Sequence, residues 1–304
     1  MSKMLDREPF SPPEADQAPV ESFSSASQQD APLQEPDFER VSGRCGPISS
    51  QAMILYDPHS EVAGQLRALR ARIIAFDKEK GPRTITITSG TRTEGKTTIA
   101  LNLALALSEI SGGRVILVDG DMLRPAIAKI TNLRGRSGLV NVLENNLDLN
   151  RNIYDSGVPN LDILPTQAVA VNKESESPLH QQCAGLLTKL RKYYQFIVID
   201  TPPVMIGSHA NVFSKHADGA ILIARLEKTS RHVTKRARDE LVKAGANLIG
   251  CVLTHQKHHV PDFIYRFFGT TSSHYYRYAA KAAEPRTGRG KAAVDISDGG
   301  DDLE

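Results

Sequence analysis

The chain has 304 residues, of which 40% are hydrophobic and 24% are charged. This length suits one α/β domain of about 200 residues with extensions, and the ordinary composition excludes collagen, coiled coils and a wholly disordered chain. The net charge of +2 favours no class of charged partner, and the three cysteines show neither metal-ligand nor disulfide spacing. The longest apolar stretch, residues 99–107, is too short to span a bilayer, and no signal-peptide pattern opens the chain. We therefore predict a cytoplasmic protein.

Residues 1–50 are predicted to form a disordered N-terminal tail. They hold seven of the 17 prolines and few large apolar residues, so they cannot bury enough surface to offset the entropy lost on ordering. From Ser60 to Phe76, apolar side chains recur at helical spacing, which predicts an amphipathic helix over residues 60–80 with Ser60 as its N-cap. The domain that contains this helix is predicted to extend over residues 51–269.

Strand-like and helix-like segments then alternate along the chain. The predicted strands cover residues 84–88, 114–118, 161–164, 196–199, 219–224 and 248–253, and the predicted helices cover residues 96–108, 178–193 and 230–244. Apolar strands joined by helical crossovers predict an α/β fold with a doubly wound, mostly parallel sheet flanked by helices. Residues 270–304 show no apolar period and are predicted to form a flexible C-terminal tail.

A phosphate-binding loop is predicted between the first strand and the helix that follows it. Residues 90–97 fit the pattern G-x-x-x-x-G-K-[ST] at every fixed position. In such a loop the backbone N–H groups surround phosphate oxygens, Lys96 reaches the β- and γ-phosphates, and Thr97 is suited to bind Mg²⁺. ATP and Mg²⁺ are therefore the predicted cofactors. The predicted nucleotide-binding residues are Gly90, Thr91, Arg92, Thr93, Glu94, Gly95, Lys96, Thr97 and Thr98.

Aspartates follow two further predicted strands. Asp119 and Asp121 come after the strand over residues 114–118, and Asp200 comes after the strand over residues 196–199. Because the carboxyl ends of parallel strands share an edge, we expect these side chains beside the phosphate loop. Asp119 is predicted to lie nearest to the attacking hydroxyl, where a carboxylate accepts its proton. Asp121 and Asp200 are predicted to serve the metal with Thr97, and the three aspartates and Lys96 form the predicted catalytic set.

Together the motifs resemble those of the bacterial tyrosine kinases of exopolysaccharide and capsule synthesis, which are P-loop proteins related to the MinD and ParA ATPases. The resemblance rests on the phosphate loop, on DGDMLRP at residues 119–125 and on FIVIDTPP at residues 196–203. It implies a protein-tyrosine autokinase that uses ATP and Mg²⁺, phosphorylates tail tyrosines in a neighbouring copy and regulates exopolysaccharide chain length or export. The matching acceptors here are Tyr275, Tyr276 and Tyr278.

The same resemblance implies an assembly. Members of the family form homo-oligomeric rings through an E-x-x-R-x-x-R motif, to which Arg67 and Arg70 correspond here, although Gly64 stands where the Glu belongs. A separate membrane-bound activator of the chain-length-regulator type is the implied partner, and it would recruit the chain to the inner face of the cell membrane. No nucleic-acid partner is implied.

Two other positions depart from the family pattern, since Leu123 replaces a usual Arg and His209 a usual Asp. Two alternatives to the kinase stay open. One is a MinD/ParA-like switch ATPase, although Thr91 occupies the position of the signature Lys of that class. The other is a nucleotide-binding regulator of polysaccharide synthesis without transfer activity, which the carboxylate lost at His209 permits.

Overall fold

The computed structural model describes residues 33–41, 45–75, 84–110, 113–133, 138–168 and 176–256. The strands in this part of the chain are β1 (Thr84–Ser89), β2 (Val115–Asp119), β3 (Tyr154–Asp155), β4 (Leu161–Leu164), β5 (Phe196–Asp200), β6 (Gly219–Arg225) and β7 (Leu248–Thr254). The helices are α1 (Met53–Tyr56), α2 (Glu61–Ala75), α3 (Lys96–Ser108), α4 (Ile127–Ile130), α5 (Leu139–Glu144), α6 (Glu176–Leu190), α7 (His209–His216) and α8 (Arg231–Lys243).

The strands form one sheet in the order β3-β4-β2-β5-β1-β6-β7. Every neighbouring pair is parallel except β3 and β4, which are antiparallel. The predicted fold class is therefore confirmed. Each of the six predicted strands is present, and its observed ends lie within one residue of the predicted ends.

Both faces of the sheet are covered, because alternate side chains of a strand point to opposite faces. In β5, Phe196 and Val198 join a core cluster that includes α3, whereas Ile197 and Ile199 join a second cluster with Phe213 of α7. Helix α3 is apolar on nearly all sides and packs between the sheet and α2. Its first residue is therefore held firmly at the carboxyl end of β1.

Helix α2 matches the start of the helix predicted over residues 60–80. The Ser60 hydroxyl accepts a hydrogen bond from the Ala63 N–H at 3.2 Å, which confirms the predicted N-cap. Leu66 and Ile73 are buried, but Val62 is 46% exposed, so the first turn of the predicted apolar face does not pack. The helix is described to Ala75, and residues 76–80 lie outside the described part of the chain.

The described part of the predicted N-terminal tail packs on the domain. The Val41 N–H donates to the Ile153 carbonyl at 2.9 Å, Val41 pairs with Tyr154 of β3, and the Tyr193 hydroxyl donates to Asp37 at 2.5 Å. Packed structure therefore begins before the predicted boundary at residue 51. Hydrogen bonds and the packing of Phe38 against Tyr193 hold the segment, and one such aromatic contact is too small a part of its composition to give a signal. The predicted C-terminal tail, residues 270–304, lies outside the described residues.

Candidate functional site

The phosphate loop joins the end of β1 to the start of α3, where the motif predicts it. Gly95 has a φ of 94°, a backbone conformation that favours glycine, and it directly precedes Lys96. At Gly90 an added Cβ would lie 2.9 Å from the Val233 side chain of α8, so a larger residue does not fit without a shift. The backbone conformation of Gly95 and the close packing at Gly90 thus explain why glycine is present at both fixed positions of the motif.

Glu94 stabilises the phosphate loop through hydrogen bonds. Its side chain is fully buried, and its carboxylate accepts hydrogen bonds from the Thr91 N–H and the Thr91 hydroxyl, each at 3.0 Å. The Thr229 hydroxyl donates to the same carboxylate, and the Thr254 hydroxyl donates to the Glu94 carbonyl at 2.7 Å. The loop is therefore tied to the turn after β6 and to the end of β7. The motif leaves position 94 variable, so the sequence gave no sign of this role.

The predicted aspartates meet at one edge of the sheet. Asp119 and Asp200 are register partners at the ends of β2 and β5. The Thr97 hydroxyl donates to Asp200 Oδ2 at 2.5 Å, whereas Asp200 Oδ1 is buried and has no hydrogen-bond partner among the residues that the structure describes. Lys96 is buried beside this carboxylate, and its charge acts on the pKa of Asp200. The structure therefore brings the phosphate loop and the strand-end carboxylates into one site.

Burial has the largest influence on the pKa values of Asp119 and Asp200. It raises the pKa of Asp200 to about 6, against the opposing effects of the Lys96 charge and of the Thr97 hydrogen bond. Burial, followed by the charge of Asp200, raises the pKa of Asp119 well above its ordinary value. Two adjacent carboxylates in a buried site resist being ionised together unless a cation compensates them. The site is thus suited to a cationic ligand.

Asp119 is also bound within its own chain. One of its oxygens accepts from the Ala126 and Ile127 N–H groups, both at 3.0 Å, and the other accepts from the Asp121 N–H at 3.2 Å. These bonds shape the segment between β2 and α4 and thereby place Asp121. The role of Asp119 beside the attacking hydroxyl stays a prediction.

The oxygen atoms at this edge fit a hydrated Mg²⁺ ion. In the described residues no group of three or more His, Cys, Asp or Glu side chains could hold a metal alone. Mg²⁺ is usually held by one or two carboxylates together with substrate phosphates and water. The unpartnered Asp200 Oδ1, the Thr97 hydroxyl and Asp121 supply donors of this type, and the nucleotide would supply the phosphates.

The predicted interface arginines have partners inside the chain. Arg67 Nη2 and Arg70 Nη1 each lie 2.7 Å from a carboxylate oxygen of Glu109, and Arg70 Nη1 also donates to the Ala106 carbonyl at 2.8 Å. These contacts fasten α2 to the end of α3. Their predicted role between copies stays a prediction. The predicted acceptors Tyr275, Tyr276 and Tyr278 lie outside the described residues.

Comparison with known proteins identifies relatives that are named tyrosine-protein kinases. A family model described as AAA domain matches residues 72–233. The putative tyrosine-protein kinase CapB of Staphylococcus aureus is 29% identical over 221 residues, which cover 73% of this chain and 92% of the relative. The tyrosine-protein kinase YwqD of Bacillus subtilis is 26% identical over 69% of this chain and 88% of its own length. The resemblance to bacterial tyrosine kinases that the motifs indicate is thereby confirmed.

Solved structures agree with this assignment. The chimerical protein CapA2B2 superposes with a TM-score of 0.60 at 29% identity, over 69% of this chain and 93% of that one. The kinase domain of Escherichia coli tyrosine kinase ETK has a TM-score of 0.61 at 23% identity, over 69% of this chain and 83% of that one, and so supports the fold alone. A phosphate loop in this fold implies nucleotide binding.

Proposed function

The chain belongs to the AAA domain family, and from this membership, its site and its relatives we propose that it is an ATP-dependent protein-tyrosine kinase. The observation that carries the proposal is the buried Asp200 oxygen, which lacks a partner in the described ranges and lies beside Lys96 and Thr97 at the end of the phosphate loop. A carboxylate in this state fits a site that is completed by a cation and phosphates.

The chemistry would be a phosphoryl transfer. The tyrosine oxygen attacks the γ-phosphorus, the bond to the β,γ-bridging oxygen breaks, and ADP leaves with that electron pair. Bound Mg²⁺ would neutralise charge on the phosphate oxygens. Lys96 would orient the same oxygens, and the N–H groups of the loop would hold the phosphates in line.

We propose that Asp119 accepts the proton of the tyrosine hydroxyl, as the sequence analysis predicts. Burial and the neighbouring Asp200 charge raise the pKa of Asp119, which makes its carboxylate a stronger base than an ordinary aspartate. Its oxygens now accept three backbone N–H bonds, so the segment that contains Asp121 must shift for the tyrosine to reach it. Asp121, together with Asp200, would serve the metal.

The acceptors are proposed to be Tyr275, Tyr276 and Tyr278 of a neighbouring copy in a homo-oligomeric ring. The ring would use Arg67 and Arg70, which would then exchange or share their present partner Glu109. A separate membrane-bound activator of the chain-length-regulator type would recruit the kinase to the inner face of the membrane. No helix in the described residues is long and apolar enough to span a bilayer.

Exopolysaccharide chain length or export is the proposed process under control. A relative in Klebsiella pneumoniae, 25% identical over 62% of this chain, is a putative tyrosine-protein kinase in the cps region. Charge added to tail tyrosines, about −1.5 to −2 for each phosphate, would change how copies of the chain associate.

The test is tyrosine phosphorylation of the purified full-length chain with Mg²⁺ and ATP, with and without the cytoplasmic segment of a candidate activator. Phosphate on Tyr275, Tyr276 or Tyr278, mapped by mass spectrometry and absent in Lys96→Met, is the expected result. ATP binding or hydrolysis without phosphotyrosine under either condition would overturn the proposal in favour of a switch ATPase or a regulator without transfer activity.

A further inference from the structure

Helix α8 presents an exposed basic face beside the phosphate loop. The helix contains five Lys and Arg residues against two acidic residues, and Arg231, Lys235 and Arg236 are all exposed. Its opposite side packs on the sheet through Ala237 and Leu241, which are fully buried. The helix therefore has one structural face and one charged face that contacts solvent.

The positive charge is compensated at one end of the helix only. In the last two turns Arg238 pairs with Asp239 at 2.6 Å, and Lys243 pairs with Glu240 at 3.3 Å. In the described part of the chain, Arg231 and Arg236 have no ion pair. The uncompensated cations thus lie in the first two turns.

Cations at this end are unfavourable for the helix itself. The N-terminus of a helix carries the positive end of its dipole, so basic side chains there are repelled and acidic ones are stabilised. The first turn of α8 contains no acidic residue, and the Ser230 hydroxyl caps the Val233 N–H. An anionic segment laid against Arg231 and Arg236 would relieve this repulsion and satisfy both guanidinium groups.

The densest acidic segment of the chain lies near its C-terminal end and matches this charge. Residues 295–304 carry five acidic side chains and no basic one, at Asp295, Asp298, Asp301, Asp302 and Glu304. We propose that this acidic segment docks on the first two turns of α8 in the same chain. The distance allows it, because β7 contacts α8 and a chain of about 39 residues from Gln256 to Asp295 reaches on the order of 100 Å when extended.

Docking would tether both ends of the intervening stretch, which includes the tyrosine cluster, beside the phosphate loop of its own chain until the cluster is released to a neighbouring copy. One end of that stretch is fixed where the Thr254 hydroxyl donates to the Glu94 carbonyl of the phosphate loop. The other end would be fixed at α8, whose Val233 packs against Gly90 of the same loop. Both anchors thus lie beside the phosphate loop. This docking does not depend on the proposed kinase activity, and its test needs none.

The experiment is zero-length crosslinking of the full-length chain with a carbodiimide, which joins a lysine amine to a carboxylate that is in contact with it. Peptides are mapped by mass spectrometry. Lys235 should crosslink to residues 295–304, and the yield should fall steeply in about 1 M NaCl, where the screening length drops to about 3 Å. Lys215, an exposed lysine on α7, is the internal control and should not gain these crosslinks.

Two variants and a matched control sharpen the result without touching the nucleotide site. Arg231→Gln with Arg236→Gln should lower the Lys235 crosslink yield about tenfold, which corresponds to about 1.4 kcal/mol. Lys215→Gln, the matched control, should leave the yield unchanged. Replacing the four aspartates of the segment with Asn should abolish docking, detected by increased labelling of Lys235 with an amine-reactive reagent, which does not depend on carboxylates.

Three outcomes would overturn the proposal. The first is a Lys235 yield no higher than that of Lys215. The second is crosslinking only between isotope-labelled and unlabelled copies, which would place the acidic segment on another chain. The third is protection of Lys235 from amine labelling by vesicles containing anionic lipid, with no crosslink to residues 295–304, which would make α8 a membrane-binding surface.

Discussion

Two buried carboxylates of the sheet differ in what surrounds them. Asp162 of β4 accepts hydrogen bonds from the Tyr194 hydroxyl at 2.7 Å and from Arg114 at 2.8 Å, and Arg40 lies 3.4 Å away. Asp200 of β5 accepts one bond from Thr97, and within the described part of the chain its other oxygen has no partner. Buried polar groups that serve the fold are normally satisfied inside the chain. An unsatisfied one at the carboxyl end of a strand indicates a place for a ligand.

The position along the strand explains the difference. Asp162 lies within β4 near the start of β2, where Arg114 and Tyr194 can reach it from neighbouring elements. Asp200 lies at the last residue of β5, where the chain turns away and leaves room for phosphates. Burial raises the pKa of both carboxylates, but Asp162 is held by two arginines and a phenol. We call these the structural carboxylate (Asp162) and the ligand-site carboxylate (Asp200).

The largest expected effect comes from removing the cation beside the ligand-site carboxylate. Lys96→Met should lower tyrosine phosphorylation at least about 10³-fold, because loss of a charged group that stabilises the transferring phosphoryl group has effects of this order. Initial rates of phosphotyrosine formation measure it. Thermal unfolding is the companion measurement, and a variant that lost activity only because it unfolds would contradict the assignment.

Removing the charge of the structural carboxylate should lower the free energy of unfolding instead. Asp162→Asn leaves the Arg114 guanidinium without its anionic partner, and we expect a loss of about 2 to 3 kcal/mol in the free energy of unfolding. Urea denaturation followed by circular dichroism measures the loss. As a control, Arg151→Gln breaks an exposed pair with Glu39, which solvent screens, and should cause a much smaller loss of stability than Asp162→Asn. Equal losses in the two variants would show that Asp162 has no special role.

The ligand-site carboxylate should also make stability depend on pH. Its pKa is about 6 in the folded chain against an ordinary value of 3.8, so the folded state binds the proton more tightly. The contribution of Asp200 to the free energy of unfolding is fully present below pH 3.8. It is lost as the pH rises through about 6, with a slope of at most about 1.4 kcal/mol per pH unit. Because the pKa of Asp119 is also raised, its contribution to the free energy of unfolding likewise decreases as the pH rises.

Asp200→Asn should flatten this decline in the nucleotide-free chain between pH 4 and pH 6, as measured by urea titrations at a series of pH values. Asp162→Asn provides the comparison, because it should lower stability by removing the anionic partner of Arg114, in addition to the change in pH slope that the raised pKa of Asp162 implies. A wild-type stability that increases through this window would contradict the assigned direction.

The smallest expected effect concerns the arginines of α2. Glu109→Gln weakens two partly exposed ion pairs and should lower the free energy of unfolding by about 0.5 to 1 kcal/mol. If Arg67 and Arg70 also serve between copies, releasing them from Glu109 should strengthen association, which sedimentation velocity can measure. Weaker association would indicate that Glu109 itself takes part in the interface.

The sequence predicted features whose signal is local. The apolar run of β5 and the spacing of Gly90, Gly95 and Lys96 each need only neighbouring residues, and the structure places them as predicted. Because the carboxyl ends of parallel strands share an edge, the sequence also predicted that Asp200 lies beside the phosphate loop, where Thr97 contacts it. None of this required knowledge of distant contacts.

The features that the sequence missed depend on distant partners. Glu94 occupies a variable position of its motif, and its role appears only when Thr229 and Thr254 fold against it. The segment over residues 33–41 is held by backbone bonds to β3 and α6 neighbours, which its composition does not reveal. Helices α1 and α4 have four residues each, too short to show a period.

The most direct test of the account compares Asp200→Asn with Asp162→Asn in calorimetric titrations of ATP, with and without Mg²⁺, alongside urea denaturation. We predict that Asp200→Asn abolishes the increase in affinity that Mg²⁺ gives the wild type while the chain stays as stable as the wild type or more so. We predict that Asp162→Asn keeps the Mg²⁺ dependence and loses stability. If Asp200→Asn binds Mg²⁺-ATP as the wild type does, the unpartnered oxygen is not a ligand site, and the account is wrong.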